Sequence, residues 1–373
     1  MKKSLLALAV LGAFAGVASA QSSVTLYGTL DVNGRYVKAD GRDRSLTQST
    51  DGINSSQLGF RGIEDLGGGL KAGFVLLAGV NPDSGTTNAK FFNRRATVSL
   101  LGGFGEVRLG RDYTPTFWNM TIFDAFGTNG LGSSLNTRQL YNGTRQDNSI
   151  GYFLPSNLGG IYGQAMVGAG EAGTSGDRPA RYIGGRVGFA AGPFDIAVAA
   201  SQERFSTAFQ TGSVGLTGAN PQPGTLFNLA GAAIGGPGFA AAGNTQKTYN
   251  VGGSFDLGVV KLLGYYNRDT LNNLKEDMFS FSAVVPLGQG EIHAGYDMGK
   301  LKGLSAANGS SSKADQIKLG YVYNLSKRTA VYTTVSRLDN KDRTRLTLPG
   351  SLGGQTTAGG KSQGAEFGVR HFF

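Results

Sequence analysis

Val24-Thr25-Leu26-Tyr27-Gly28-Thr29-Leu30-Asp31-Val32-Asn33-Gly34-Arg35-Tyr36 places an apolar residue or a glycine at every even position. Thr25, Thr29, Asp31, Asn33 and Arg35 occupy most of the odd ones. A strand sends successive side chains to opposite faces, so this segment has one greasy face and one wet face. The same period recurs far along the chain. Ile292, Ala294, Tyr296 and Met298 alternate with Glu291, His293 and Asp297. Ile317, Leu319, Tyr321, Tyr323 and Leu325 alternate with Lys318, Gly320 and Asn324, and Ala365, Phe367, Val369 and Phe373 with Gly364, Glu366, Gly368 and Arg370.

Alternation also suits a soluble β-sandwich. Two features count against that reading. The alternating runs extend over about ten residues, whereas sandwich strands commonly have five or six. Connections also alternate between compact and long. Residues 64–69, 155–160, 192–193, 286–290 and 324–327 are compact turns, while 39–54, 117–144, 205–246, 302–313 and 340–361 are long polar or Gly-rich stretches. Short turns at one rim and long loops at the other are the layout of an outer-membrane barrel. Segments starting near Val24, Ser55, Leu70, Asn93, Gly105, Arg145, Ile161, Arg178, Pro193, Lys247, Val259, Glu276, Glu291, Ala314, Thr329 and Lys361 make about sixteen strands. The expected fold is therefore an all-β, sixteen-stranded antiparallel transmembrane β-barrel spanning residues 21–373. A barrel of that size encloses water. It must close by pairing the Val24 strand with the Phe373 strand, because an open edge in lipid leaves backbone groups unpaired.

Composition agrees. Lys2 and Lys3, the apolar run from Leu5 to Val17 and the small residues Ala18-Ser19-Ala20 form a secretory signal peptide over residues 1–20, so Gln21 begins the mature chain. Removing Lys2 and Lys3 from 35 basic side chains leaves 33 against 25 acidic, a formal charge of +8. Secretion makes nucleic acid a poor partner for that charge and leaves small anions or acidic lipid. With no cysteine, disulfides and thiolate metal sites are excluded. Glycine at 61 of 373 residues, beside 22 Phe and 14 Tyr, fits a curved sheet with tight turns and aromatic girdles rather than a disordered chain. After residue 20 no apolar run is long enough for a transmembrane helix.

Catalytic chemistry is hard to assemble. His293 and His371 are far apart, and parity puts His293 inward and His371 outward. His293 then reads as a lumen-wall residue. Gly360-Lys361-Ser362 resembles the end of a phosphate-binding loop, but Gln355 stands where that motif needs its first glycine, and a strand follows. No two-histidine or thiolate metal site is present, and no cofactor is expected; loose calcium sites in acidic loops stay open. Three functions are left: a passive channel, a substrate-specific anion channel for phosphate or an organic acid, and, far behind, a barrel enzyme dependent on His293.

Charge placement favours the first two. Arg35 faces inward by alternation. Leu58 and Phe60 face lipid, so Gln57 and Arg61 face water, and Lys318, Arg370 and His293 share inward parity on their strands. A cation facing lipid at mid-depth costs about 2–4 kcal/mol. Val98 and Leu100 share the parity of Arg94, so simple alternation makes Arg95 the inward member of that pair. Residues 117–144, with Phe117, Trp118, Phe123 and Phe126 and the single acid Asp124, suit a packed loop able to fold into the lumen and narrow it.

Several motifs resemble the general porins of beta-proteobacteria. They are Gln21-Ser22-Ser23-Val24-Thr25-Leu26-Tyr27-Gly28, the run from Gln57 to Phe74, Gly105-Glu106-Val107-Arg108-Leu109-Gly110-Arg111-Asp112, the run from Leu319 to Thr329, and Gly368-Val369-Arg370-His371-Phe372-Phe373. The resemblance spans the mature chain. It implies a homotrimeric, anion-favouring diffusion channel for small hydrophilic solutes, set among outer-membrane lipids and lipopolysaccharide. It implies that the third extracellular loop, 117–144, folds inward, and that Phe373 is read by the barrel-assembly machinery. It also implies an arginine cluster at the constriction. Arg94 and Arg145 match two of its members, which puts Arg94 inward against the parity argument. The third falls on neutral Gln57, with Arg61 and Arg35 able to compensate. Such porins often carry a glutamate where this chain reads Leu76-Leu77-Ala78-Gly79, and its absence pushes selectivity toward anions.

Overall fold

Strands form wherever the alternation runs, and their boundaries come from glycines, prolines and Asn/Asp at the turns. The computed structural model describes residues 23–140, 143–170, 181–204, 245–303, 311–342, 344–352 and 354–373. Residues 1–20 and the expected mature start at Gln21 lie outside the described residues, as do 205–244 and 304–310 of the expected long stretches.

The strands are β1 (Ser23–Ala39), β2 in two pieces (Ser45–Thr50 and Gln57–Gly67), β3 (Leu70–Asn81), β4 (Arg95–Gly102), β5 (Gly105–Tyr113) and β6 (Arg145–Phe153). They continue with β7 (Ile161–Ala169), β8 (Arg181–Ala191), β9 (Phe194–Arg204), β10 (Thr245–Asp256) and β11 (Lys261–Leu271). The last five are β12 (Leu274–Leu287), β13 (Gly290–Lys302), β14 (Ser311–Asn324), β15 (Thr329–Lys341) and β16 (Lys361–Phe372). All neighbours pair antiparallel, and β1 pairs with β16 from Thr29↔Phe372 to Ala39↔Ser362, which closes the cylinder. The Gly28 and Phe373 main chains exchange hydrogen bonds of 3.0 and 3.1 Å at the short-turn rim.

Parity holds around the wall. On β1 the outward Leu26 and Leu30 are exposed, while the inward Asp31, Asn33 and Arg35 are buried. Exposed Val98, Ile150, Ile183, Val198, Phe281 and Ile317 continue the lipid-facing surface. No described helix is long and apolar enough to cross a membrane.

One departure is the break in β2. The expected connection 39–54 contains a strand, Ser45–Thr50, and the interruption falls at 51–56. Buried Asp31 causes it. Its carboxylate accepts the N–H groups of Gly52, Ile53 and Asn54 at 3.1, 3.0 and 2.8 Å and the hydroxyl of Tyr332. Three consecutive amides turned toward one carboxylate cannot also serve the ladder. Gly52 fits because a Cβ there would lie 2.0 Å from the Tyr332 hydroxyl.

The segment after β5 does not project outward. Helix α1 (Pro115–Ile122) starts on Thr114, whose hydroxyl accepts from the Phe117 N–H, with Pro115 in the first turn where no N–H is needed. Phe117, Met120 and Phe123 pack with Tyr113 against Ala197 and Tyr265, inward residues of β9 and β11. Ala125 N–H donates to Ser282 (3.0 Å) and Leu131 N–H to Glu366 (3.4 Å), so the segment runs along the inner wall from β9 to β16. The last long connection turns inward as well: Leu346 and Leu348 cluster with Val37, Leu131, Ala314 and Leu338.

The tip of the first of these segments seats on the β2 break. Ser55 donates to Asn129 (2.8 Å), and Gly130, at φ +56°, leaves room for only 2.2 Å between an added Cβ and the Gly52 carbonyl. Gly130→Ala must lift the tip at a cost of about 1–3 kcal/mol. The expected result is an intact barrel with noisier single-channel current; a trace as quiet as that of the unmodified protein would count against this seat.

Candidate functional site

Arginines dominate the wall formed by β4, β5 and β6, but most carry a carboxylate. Arg95 binds Asp112 (2.6 Å), Arg108 binds both Glu106 (2.8 Å) and Asp112, and Arg111 binds Asp147, which Lys90 also reaches. These pairs carry little net charge into the lumen.

Two arginines on this wall hold no carboxylate in the described structure. Arg145, at the start of β6, donates to the Tyr113 hydroxyl (3.1 Å), with its guanidinium carbon 4.5 Å from the Tyr113 ring centroid. Arg94 precedes β4 and is tied by its main-chain N–H to the Leu77 carbonyl (3.1 Å). Its side chain acts electrostatically on both Tyr113 and Arg145. Nε of each is buried without an acceptor. Such donors seek an oxygen acceptor, and an anion supplies one together with the missing charge.

The platform under Arg145 is Tyr113. Its ring stacks on Phe117 (5.8 Å, 12°) and on Trp118 (5.5 Å, 26°), and Arg95 lies 5.8 Å from its centroid. One tyrosine thus joins the first turn of α1 to the arginines. Parity could not reveal it. A bulge between Gly110 and Asp112 lets both Asp112 and Tyr113 be buried in succession. Gly110 permits the bulge, since its φ is +124° and a Cβ would come 2.1 Å from the Ala96 carbonyl. The adjacent arginines resolve in a similar way. Arg95 takes the inward strand position that alternation predicts, and Arg94 stands before the strand, so pleat parity does not govern it.

The other predicted residues scatter. Gln57 opens the second piece of β2 opposite inward Thr29. Arg61 is exposed near the short-turn rim, over Tyr27 at 5.3 Å, well below the arginine pair. Arg35 faces inward as expected but is sealed at 4% exposure: its Nε lies 2.8 Å from Glu366, and Gly350 covers it. Asp124 and Lys318 are equally sealed, 3.2 Å apart, with Asp297 2.8 Å from the lysine. Burial raises the Asp124 carboxyl, but Lys318 and the Phe126 and Ser134 donors outweigh it and hold it below its ordinary 3.8. Arg370 is half-buried over Phe372 at 4.3 Å and reaches Asn54 (3.2 Å). His293 is inward, with Nδ1 2.8 Å from the Ala125 carbonyl and Nε2 2.9 Å from Glu291, and His371 is exposed beside Thr329. No group of three potential metal ligands occurs among the described residues.

The acids of the opposite wall are occupied in holding the inner segment. Glu276 accepts the N–H groups of Gln139 and Leu140 at 2.6 and 2.8 Å, and Asp269 binds Arg138 at 2.7 Å. They were missed because parity tells which face a carboxylate is on, not what covers it.

Comparison with known proteins bears on this arrangement. Residues 7–343 match the model of the Gram-negative porin family. Outer membrane porin protein 32 of Delftia acidovorans is 38% identical, with the whole of both chains aligned. An outer membrane porin protein of Bordetella pertussis is 30% identical over 91% of this chain and 95% of its own. The solved anion-selective porin from Comamonas acidovorans superposes with a TM-score of 0.78 at 35% identity, covering 95% of this chain and all of that one.

Proposed function

We propose, for a chain that belongs to the Gram-negative porin family, that Arg94, together with Arg145 on the Tyr113 platform, is the element that makes its pore favour anions. The protein is an outer-membrane diffusion channel and not an enzyme: small hydrophilic solutes cross passively through a water-filled barrel. The observation that carries the assignment is an imbalance of free charge. Among the described residues Arg94 and Arg145 have no carboxylate, whereas Asp124, the acid of the facing segment, is paired with Lys318. A pore whose wall carries two cations without carboxylates, facing a segment whose acid is paired, concentrates anions and repels cations.

Residues 117–144 act as the constriction loop in this reading, since those described up to Leu140 lie along the inner wall facing the arginines. The name of the Comamonas relative, an anion-selective porin at 35% identity, points the same way. A homotrimeric assembly and recognition of Phe373 by the assembly machinery complete the reading. Support for the latter is that the residue directly follows the closing strand, with its ring against Gly28 and its main chain bonded to it.

Planar bilayers under a salt gradient test the proposal. The expected reversal potential has anionic sign, and a cationic sign would sink it. Current that saturates with phosphate but not with chloride would instead favour a substrate-specific anion channel.

A further inference from the structure

Ala125, in the inner segment, is held by two strands at once. Its N–H donates to Ser282 on β12 (3.0 Å), and its carbonyl lies 2.8 Å from Nδ1 of His293 on β13. The ring of the next residue, Phe126, meets the imidazole edge to face at 5.6 Å and 76°. The second ring nitrogen, Nε2, lies 2.9 Å from a Glu291 oxygen. That contact has the distance of an ion pair without an aligned N–H bond.

Both oxygens beside the ring can only accept. A carbonyl and a carboxylate have no proton to give, and a neutral imidazole has one N–H and one lone pair. The neutral ring therefore cannot serve both. Beside an anionic Glu291 its single proton is drawn to Nε2, which leaves the Nδ1 lone pair against the Ala125 carbonyl. The imidazolium has two N–H groups and serves both, with bonds about twice as strong as neutral ones. The pocket thus fits the charged ring and opposes the neutral one.

The cross-strand neighbours of His293, Val284 on β12 and Gly320 on β14, carry no charge. Its own strand supplies Glu291 and, further along, Asp297, which is paired with Lys318 of β14. The segment supplies Asp124, paired with the same lysine. That lysine also lies 4.8 Å from the Phe126 ring centroid, and Arg370 of β16 acts electrostatically on Glu291. His293 keeps 14% of its side chain exposed and Glu291 41%, so protons from water reach the pair. Histidine is the side chain that ordinarily changes charge between about pH 5 and 8. The second histidine of the chain, His371, is bound to Thr329 on the outer side of the wall.

We propose that His293 is a pH-sensitive positioning residue for the inner segment: as imidazolium between Glu291 and the Ala125 carbonyl it fastens the segment to β13, and as neutral imidazole it lets go. The latch needs only these contacts; its effect on current rests on the reading of 117–144 as the constriction loop. The sign is distinctive. A segment held by a protonated ring is docked most firmly at low pH and loosens as pH rises through the titration. Its other holds, Glu366 on Leu131 and Glu276 on Gln139 and Leu140, are carboxylate acceptors, which acid weakens.

Hydrogen exchange in the full-length protein in detergent, read on residues 123–128 and corrected for the intrinsic pH dependence of exchange, tests the latch, with single-channel recording beside it. Between about pH 5.5 and 8.5 exchange there should rise on the order of tenfold, and current noise should rise with it. His293→Gln cannot change charge and should exchange equally at both ends of that range. Glu291→Gln should also lose the rise but stay at the slow, acid level. Its amide can donate to Nε2, which leaves the neutral ring's proton on Nδ1 for Ala125. A side chain that only fills space would not give this pair of results. Exchange in the unmodified protein that ignores pH, or that rises toward acid, overturns the proposal, as does a rise that survives in His293→Gln. Exchange that responds while current does not upholds the latch and overturns the constriction reading. A cationic reversal potential beside a responsive exchange upholds the latch and overturns the arginine pair.

Discussion

Exchanging Arg94 and Arg145 together for glutamate turns the reversal potential of the channel from anionic to cationic sign. The size of the effect follows from Coulomb's law. A unit charge about 5 Å from a passing ion in water biases it by about 0.8 kcal/mol. Two such charges change the local anion concentration on the order of tenfold. Salt weakens this, since screening acts over about 10 Å at 0.1 M, so the effect is largest in dilute electrolyte. Arg94→Gln/Arg145→Gln should stop near neutrality between the two signs. Arg35→Gln is the informative contrast. It removes the same charge from the same face of the barrel, but Arg35 is sealed behind Gly350 and paired with Glu366. Its loss should leave selectivity where it was and lower the unfolding temperature, because a buried carboxylate is then uncompensated. If the double glutamate variant keeps the parental reversal potential, the selecting charges lie elsewhere.

That contrast marks what period-two reading delivers. Alternation assigns a face, and it assigned the faces of Arg35, Lys318, His293 and Arg95 as the structure has them. It located β3, β5, β6, β7, β15 and β16 at their observed starts, because lipid outside and water inside enforce the period along a whole strand. Exposure is a different property. Whether an inward cation meets solute depends on what crosses the lumen, and that is set by contacts between residues more than a hundred positions apart, such as Leu131 with Gln316 and Glu276 with Leu140. Arg35 and Lys318 were therefore placed on the right face and given the wrong surroundings. Local irregularities defeat the period too. The bulge after Gly110 hid Tyr113, and the amides gathered on Asp31 broke β2 where an uninterrupted connection was expected. The resemblance supplied Arg94, which no pleat argument could, since that residue lies outside the strand.

Lys318→Met should unfasten the inner segment without opening the barrel. Lys318 is the shared cation of Asp124, on the segment, and Asp297, on β13, and all three side chains are sealed from solvent. Methionine matches the stem in length but leaves two carboxylates facing each other, and breaking a buried pair in this way costs about 3–5 kcal/mol. The carboxylate of Asp124 still accepts the N–H groups of Phe126, Thr128 and Ser134, so the turn it organises persists. The cost falls on docking. The segment can escape it by lifting Asp124 into water, whereas the barrel ladders cannot respond. The expected outcome is a larger and noisier unit conductance, faster proteolysis within residues 124–140, and an unaltered β signature in circular dichroism. Replacing the triad as a whole, Lys318→Met with Asp124→Asn and Asp297→Asn, should restore much of the parental conductance, because no buried charge is left unpaired. The triple variant separates two explanations. Recovery assigns the defect to uncompensated charge. Conductance as large in the triple variant as in Lys318→Met would mean that the lysine holds the segment by attraction that neutral hydrogen bonds cannot replace.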